Sequence, residues 1–231
     1  MKVHINYAAG CYFASQRACG ASALQNGFDR TIAYGLPDID AAFLNANRFT
    51  FSQPRGAGYW LWKPYFILRT LITLDSGDWL MYTDSGMSFV RDPWPFIMPH
   101  EERIGERGIL AMGRAGINRE YTKRDAFLLM GLDEPQYRDA PQITASMVVC
   151  RNTPLARSFI EEWLAYARDP RILTDLPNTR GLPNYPDFKD HRHDQSILSL
   201  LAIKHGICFS SGVTQWDMPD APCVIHHRSR E

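Results

Sequence analysis

The sequence predicts a single α/β domain over residues 1–231, with a mixed, mostly parallel central sheet and helices on both of its faces. Short apolar runs alternate along the chain with segments of helical spacing, which is typical of a layered α/β fold. The chain has 231 residues, enough for one large domain and too few for two. Hydrophobic residues make up 45% of it and charged residues 22%, so we expect a packed core rather than disorder.

Six runs have the length and the pattern of strands. The run at residues 79–82 is apolar throughout, which predicts a central strand buried on both faces. The predicted strands are residues 2–7, 30–34, 79–82, 109–112, 142–150 and 223–225. In open α/β sheets ligands bind at the carboxyl ends of strands, so the residues that follow these runs are the first candidates for a site.

Five segments have the caps and the apolar spacing of helices. Ser15 and Asp194 are suited to cap the first and the last of them, and Asp125 is placed to be the capping-box partner of Thr122. Pro64 suits a first helical turn. The predicted helices are residues 15–26, residues 64–77, one from Thr122, one from Pro154 and residues 194–206. Residues 174–189 are rich in Pro, Asn and Gly and are predicted to form a long functional loop.

Charge and cysteine usage narrow the class of protein. The 25 basic residues balance the 25 acidic ones, so no overall field favours nucleic acid as a partner. The five cysteines form no CxxC pair and lie mostly in apolar runs, which fits a reducing compartment. No apolar run is long enough to cross a bilayer and no signal segment opens the chain. We therefore expect a cytoplasmic protein without a transmembrane segment; peripheral attachment to the inner face of the membrane stays open.

Asp84 is the first candidate site residue, because it directly follows the most apolar strand. The small residues Ser85 and Gly86 follow it and would let a diphosphate approach the backbone. A carboxylate oxygen suits Mg²⁺ or Mn²⁺, and a diphosphate leaving group needs such a cation. An Asx-turn at a strand end would explain Asp84 equally well.

The second candidate is the helix start at residues 56–63. Helix N-termini attract phosphate, and Lys63 would add a positive charge there. Trp60 and its aromatic neighbours could wall a base or sugar pocket, although two tryptophans near a helix start are usually packing residues. We expect Lys63 to contact the ligand and one of the tryptophans to pack in the core.

Two further candidates lie near the carboxyl end. Capping alone explains Asp194, but if its segment lines the cleft, Asp194 could bond sugar hydroxyls and Gln195 could lie near the anomeric carbon. His226, His227 and Arg228 directly follow an apolar strand, although paired histidines there are often a tail. One histidine could complete a metal site with Asp84, and Arg228 could bind a phosphate bidentately.

Together these segments resemble the short bacterial and viral glycosyltransferases of the GT-A fold, a Rossmann-like nucleotide-diphospho-sugar transferase superfamily that builds capsules, lipopolysaccharide and surface glycans. The resemblance covers most of the chain. It rests on five segments in order: GAGYWLWKP at 56–64, GDWLMYTDSG at 77–86, YTKRD at 121–125, QITAS at 142–146 and HRHDQS at 191–196.

The resemblance implies a site. Asp84 matches the first aspartate of the Asp-x-Asp motif of GT-A enzymes, whereas Gly86 stands where the second would be. Asp194 and Gln195 are similar to an Asp-Gln pair that lies beside the reacting sugar in retaining galactosyltransferase-like members. His226 or His227 would match the late histidine that binds the metal in those enzymes. Asp125 is the next catalytic candidate.

The implied reaction is transfer of a hexose from a nucleoside diphosphate, as in a UDP-sugar, to a hydroxyl of a glycan or lipid-linked glycan, with Mn²⁺ or Mg²⁺ as cofactor and retention of configuration. Lys63 or Arg228 would assist the leaving diphosphate, and residues 174–189 would close over the donor. A sugar-nucleotide pyrophosphorylase or other nucleotidyltransferase, and a sugar-binding module without enzyme activity, remain the alternatives. A metal-dependent phosphohydrolase of the His-Asp type is disfavoured because that fold is all-helical.

Overall fold

A computed structural model describes residues 1–227, apart from the side chain of Arg114. The strands are β1 (Lys2–Tyr7), β2 (Arg30–Tyr34), β3 (Trp79–Thr83), β4 (Met87–Phe89), β5 (Ile109–Met112), β6 (Arg114–Ile117), β7 (Pro141–Ile143), β8 (Met147–Arg151), β9 (Cys208–Ser210) and β10 (Val224–His226). The helices are α1 (Phe13–Gln25), α2 (Ala41–Ala46), α3 (Arg48–Phe51), α4 (Gly56–Tyr59), α5 (Trp62–Leu71), α6 (Trp94–Ile97), α7 (Glu101–Ile104), α8 (Asn118–Tyr121), α9 (Arg124–Met130), α10 (Pro135–Arg138), α11 (Pro154–Ala167), α12 (Pro170–Leu173) and α13 (His193–Lys204). Short 3-10 turns lie at Gly10–Tyr12, Leu36–Asp38, Met98–His100 and Gly105–Arg107.

A six-stranded mixed sheet forms the centre, in the order β2-β1-β3-β8-β5-β9. Strands β2, β1 and β3 are parallel, β8 runs antiparallel to both of its neighbours, and β9 is parallel to β5. Two antiparallel ribbons, β4 with β10 and β6 with β7, stand apart from this sheet. The predicted α/β class and mixed, mostly parallel sheet are confirmed.

Both faces of the sheet are covered, because alternate residues of its central strand enter two different cores. Leu80 and Tyr82 of β3 pack in the larger core, which α5, α9, α11 and α13 cover. Trp79 and Met81 point the other way, into a second core with α1, α6 and the β4–β10 ribbon. Every residue of β3 is buried, as the apolar run predicts. Among residues 1–227, no helix combines the length and the apolar character needed to cross a membrane.

Two predicted helices have different ends in the structure. Helix α1 begins at Phe13, because a 3-10 turn leads straight into it, and Ser15 is therefore inside the helix rather than its cap. Helix α5 ends at Leu71 rather than at Gly77. The amide of Asn152 donates to the carbonyls of Leu74 and Asp75, at 2.8 and 3.0 Å, and so stabilises a turn where the helix would have continued.

Three local predictions around α9 and α13 are wrong in detail. Thr122 is extended and α9 starts at Arg124, so Asp125 is not a capping-box partner. The single strand predicted for residues 142–150 is divided into β7 and β8. Asp194 is the second residue of α13 and not its cap. In each case a tertiary contact has replaced the local one: Asp125 binds Thr179, Ala145 binds Gln195, and Asp194 pairs with Lys63.

Candidate active site

A cavity of about 850 Å³ opens at the carboxyl ends of β1 and β3, where the sheet rule places ligands. Its size is in the range of small-molecule sites. Its walls come from residues 7–12, from residues 54–62 in part, from residues 82–86 in part, and from Trp216, His226 and His227. The structure thus brings together the predicted site residues Trp60, Asp84, Ser85, Gly86, His226 and His227.

Lys63 lies beneath this cavity in a buried cluster of charges. Its ammonium is 2.7 Å from Oδ2 of Asp194 and 3.7 Å from Oδ1 of Asp84, and it donates to the carbonyl of Ala145 at 3.1 Å. Lys63 and Asp194 are only 3% and 4% exposed, whereas the carboxylate of Asp84 is 40% exposed and reaches the cavity. The expected contact between Lys63 and donor phosphates stays a prediction, since its ammonium is held by the two aspartates.

The cluster holds two carboxylates and one ammonium, so its net charge is negative. Burial alone would lower the pKa of Lys63, but Asp194 and Asp84 raise it above its usual value. Burial raises the pKa of Asp194 to about 6, because one lysine cannot offset both burial and the nearby charge of Asp84. The arrangement stabilises the charged form of Lys63 but leaves the charged form of Asp194 destabilised. A carboxylate whose pKa is shifted in this way beside a charged partner is typical of functional sites.

Tyr82, near the carboxyl end of β3, also contacts the cluster. Its hydroxyl donates to Oδ1 of Asp84 at 2.6 Å. Burial, together with the adjacent charge of Asp84, raises the pKa of Tyr82 well above its usual value, so the phenol keeps its proton and remains a donor. Asp84 is therefore oriented by a neutral donor two residues before it.

Gln195 is hydrogen-bonded to the segment that separates β7 from β8. Its side-chain oxygen accepts from the amide of Ala145 at 3.1 Å, and its amide donates to Gln142 at 2.8 Å. Arg192 donates to the same Gln142 oxygen at 3.3 Å. Because the carbonyl of Ala145 binds Lys63, the interrupted strand connects Gln195 to the charge cluster.

The last strand lies directly over the end of β3. Strand β10 pairs with β4, and the amide of His227 donates to the carbonyl of Gly86 at 2.9 Å. A Cβ atom at position 86 would lie 3.1 Å from the carbonyl oxygen of His227, so this close approach favours glycine where GT-A enzymes have a second aspartate. Arg228 is outside the described residues.

The protein donors alone do not form a complete metal site. Asp84, His226 and His227 line the same cavity. Within residues 1–227, however, no group of three or more His, Cys, Asp or Glu side chains is arranged to hold an ion. A cation bound there would have one carboxylate and imidazole nitrogens from the protein and would need further ligands from water or a bound molecule.

The wall of the cavity at residues 56–60 has an unusual backbone. Gly56, Ala57, Gly58, Tyr59 and Trp60 all have positive φ, between 50° and 95°, so α4 is a left-handed turn. Left-handed conformation costs about 1–2 kcal/mol per non-glycine residue. His193, whose φ is also positive, stacks on Trp60 with 5.4 Å between ring centroids. Strain of this kind is concentrated at functional sites and is held here by packing.

The aromatic residues of this turn and of the start of α5 differ in burial. Tyr59 and Trp62 are buried, and Trp62 stacks on Tyr7 at 4.0 Å between ring centroids. Both tryptophans line the cavity, but Trp60 is only partly buried.

Asp125 lies elsewhere. Its carboxylate accepts from the amide and hydroxyl of Thr179, at 2.5 and 2.7 Å, and from the amide of Arg180 at 3.1 Å. It is buried and does not line the cavity. Residues 174–189 form a long irregular segment, as predicted, but Asp125 ties that segment to α9, and none of it lines the cavity.

Sequence reasoning missed Tyr82, Ala145 and Trp216. In the sequence, Tyr82 is one residue of an apolar run. Because alternate residues of a strand share a face, a tyrosine two residues before a strand-end aspartate should lie on the same side of the sheet as that aspartate. Ala145 acts through its backbone, which no side-chain pattern reveals.

Comparison with known proteins gives a clear result at the level of structure. No protein-family model matches the sequence, and no curated protein matches it. Mouse xyloside xylosyltransferase 1 is similar with a TM-score of 0.54 and 11% identity, over 98% of this chain and 97% of that one. The bifunctional glycosyltransferase WbbM is similar with a TM-score of 0.54 and 11% identity, over 100% of this chain and 46% of that one. GlyE from Streptococcus pneumoniae has a TM-score of 0.52 and 13% identity, over 99% and 54%.

These neighbours are GT-A-type glycosyltransferases. This chain has the GT-A fold. It spans about half the length of WbbM and GlyE and nearly all of the mouse enzyme. At such identities the likeness establishes the GT-A fold that the sequence resemblance predicts, and the chemistry must be argued from the site.

Proposed function

We propose that this GT-A chain is a glycosyltransferase that moves a hexose from a nucleoside-diphosphate sugar, UDP-sugar in the first instance, to a hydroxyl of a glycan or lipid-linked glycan. The observation that carries the proposal is the buried cluster of Lys63, Asp84 and Asp194 beneath a cavity of about 850 Å³. Asp194 is paired with Lys63 and lies near Asp84, whose side chain reaches the cavity, so the cluster can place negative charge beside a reacting sugar.

The diphosphate is placed beside Asp84, Ser85 and Gly86, and the nucleoside against Trp60. A bound divalent cation, Mn²⁺ or Mg²⁺, would neutralise the charge that develops on the leaving diphosphate. Asp84 and one of the two histidines, His226 or His227, would hold it together with diphosphate oxygens.

We assign Asp194 and Gln195 to the sugar end of the donor; neither lines the cavity, and Asp194 acts from behind its wall through Lys63 and Asp84. Transfer develops positive charge at the anomeric carbon, and the negative cluster of Asp84, Lys63 and Asp194 stabilises that charge. Gln195 fixes Ala145 and through it Lys63, so the cluster keeps its geometry while the diphosphate departs. We propose retention of configuration on the resemblance of the Asp194–Gln195 pair. Because residues 174–189 are tied to α9 and do not line the cavity, we do not expect them to close over the donor. Cytoplasmic location remains a prediction.

A donor screen tests the proposal directly. The chain is incubated with UDP-, GDP- and dTDP-hexoses and Mn²⁺, and release of nucleoside diphosphate is measured with and without a glycan mixture. We expect one donor to release its nucleoside diphosphate slowly by hydrolysis, and faster when an acceptor is present. Chelation of the cation with EDTA should stop both reactions. Formation of nucleoside triphosphate and sugar 1-phosphate when inorganic pyrophosphate is added would instead support a pyrophosphorylase, and sugar binding without nucleotide stabilisation would support a binding module.

Asp84→Asn should abolish release, with melting almost unchanged. The matched control is Asp220→Asn, at an exposed position outside the cavity. If Asp84→Asn keeps more than about a tenth of the activity, a barrier change under ~1.4 kcal/mol, Asp84 is not the anchor of the diphosphate and its cation.

A further inference from the structure

Trp216 is an exposed tryptophan at the rim of the cavity. Four of the other tryptophans, Trp62, Trp79, Trp94 and Trp163, are buried, whereas Trp216 is 66% exposed. It nevertheless lines the cavity, beside His226 and His227. A large aromatic surface left in water forgoes the burial free energy that the other indoles gain.

The turn that carries Trp216 is held firmly. The hydroxyl of Thr214 donates to Asp217 at 2.6 Å, and the amide of Met218 donates to the carbonyl of Thr214 at 2.8 Å. Asp217 also packs so closely against Gly212 that its carboxylate leaves no room for a Cβ atom at that position. The indole is therefore carried by a hydrogen-bonded turn.

This support is joined to the strand above the site. The side chain of Gln215 exchanges two hydrogen bonds with the backbone of His226, at 3.0 and 3.1 Å. The rings of Trp216 and His226 lie 4.4 Å apart between centroids, tilted by 48°. His226 pairs with Met87, three residues after Asp84, so the indole is anchored to the segment that faces the diphosphate.

The openness of this indole favours one kind of ligand. The donor must be shielded from water, because water would compete as the acceptor. An acceptor glycan instead extends from the site into solvent and needs a platform at the rim. The faces of an indole carry negative partial charge and pack well against the C–H bonds of one face of a pyranose ring.

We propose that Trp216 is the platform on which a sugar ring of the acceptor stacks at the mouth of the cavity. The inference rests on the proposed function, which places the donor deeper, between Asp84 and Trp60. It assigns Trp216 to acceptor recognition and not to the nucleotide.

The test compares Trp216→Ala and Trp216→Phe with the wild-type chain. The control is Phe49→Ala, which removes another exposed aromatic side chain, 47% exposed and outside the cavity. A glycan array without nucleotide first selects the best-bound oligosaccharide, which then serves as acceptor. Three quantities are measured: glycan affinity, UDP affinity with Mn²⁺ by calorimetry, and acceptor KM for transfer.

We expect Trp216→Ala to weaken glycan affinity and to raise acceptor KM at least tenfold, and Trp216→Phe to recover part of both. UDP affinity and donor hydrolysis without acceptor should stay within twofold, as in Phe49→Ala. A fall in UDP affinity instead would make Trp216 a nucleotide residue. Failure of the array to bind the wild-type chain, or equal binding by Trp216→Ala, would overturn the platform. Glycan binding that depends on Trp216 in a chain that releases no nucleotide would keep the platform and reject the transferase.

Discussion

Asp194 and Asp125 occupy the same position in two helices and have opposite environments. Each is the second residue of its helix, α13 or α9, and each is almost fully buried. Asp125 accepts three hydrogen bonds from Thr179 and Arg180, all from neutral groups. Asp194 instead pairs with the ammonium of Lys63 and lies in the field of Asp84.

The pKa values of the two groups reflect this difference. Burial alone would raise the pKa of Asp125, but its hydrogen bonds from Thr179 and Arg180 lower it below the usual value. The pKa of Asp194 is raised to about 6. A carboxylate whose charge is fully satisfied holds the chain together, whereas one whose charge is only partly offset is available for chemistry. Burial and position in a helix do not distinguish the two roles.

The largest expected effect follows from replacing the less satisfied carboxylate. Asp194→Asn keeps the volume and removes the buried charge that, in the proposed function, helps to stabilise the reacting sugar. We expect kcat to fall about 10³-fold, which is ~4 kcal/mol in the barrier, with the melting temperature nearly unchanged. Steady-state kinetics and calorimetry measure the two. Turnover within tenfold of wild type would remove Asp194 from the reaction and leave Asp125 as the next candidate.

Replacing the lysine tests whether the cluster is structural as well. Lys63→Met leaves two carboxylates without their cation, and we expect the free energy of unfolding to fall by about 3–5 kcal/mol in urea titrations. Adding Asp194→Asn to Lys63→Met should restore part of that stability. A phosphate-binding role for Lys63 predicts another pattern, with normal stability and weaker UDP binding by calorimetry. That pattern would place its ammonium in the cavity.

Asp125→Asn should affect stability and not turnover. The amide retains an acceptor oxygen but presents donors where Thr179 and Arg180 also donate. We expect a loss of about 1–3 kcal/mol in the free energy of unfolding, with kcat per folded molecule within twofold. Urea denaturation and active-site titration separate these quantities. A fall in kcat at full stability would make Asp125 catalytic.

The smallest effect concerns pH, and it has opposite signs for the two groups. The folded chain binds the proton of Asp194 more tightly than the unfolded chain, so this group reduces stability as pH rises through about 6. Asp125, with a lowered pKa, adds stability that is lost as pH falls below the usual aspartate range. Since ionised Asp194 is needed for transfer, kcat should fall below about pH 6, by at most about tenfold per pH unit. A kcat that is flat from pH 5 to 8 would contradict this assignment.

Much of the fold followed from local pattern. The strands at Lys2–Tyr7, Arg30–Tyr34 and Ile109–Met112 have the predicted bounds, because strand period and apolar runs are properties of neighbouring residues. Thr153 caps α11 as a Thr-Pro pair suggests. The break at residues 144–146 could not be predicted, because there the backbone of Ala145 bonds the side chains of Lys63 and Gln195, which are distant in the sequence.

The sequence by itself determined that the chain layers helices on a mixed sheet, that Asp84 follows its most apolar strand, and that two histidines come at the end of a late strand. These features depend on residue type and spacing, which the chain carries locally. Only the tertiary structure decided that Lys63 lies beneath the cavity, that Asp194 is its partner and Asp125 is not, and that Trp216 stands at the rim. Those outcomes depend on which distant residues meet in the core, because the free energy of a buried charge is set by its partners and not by its own segment.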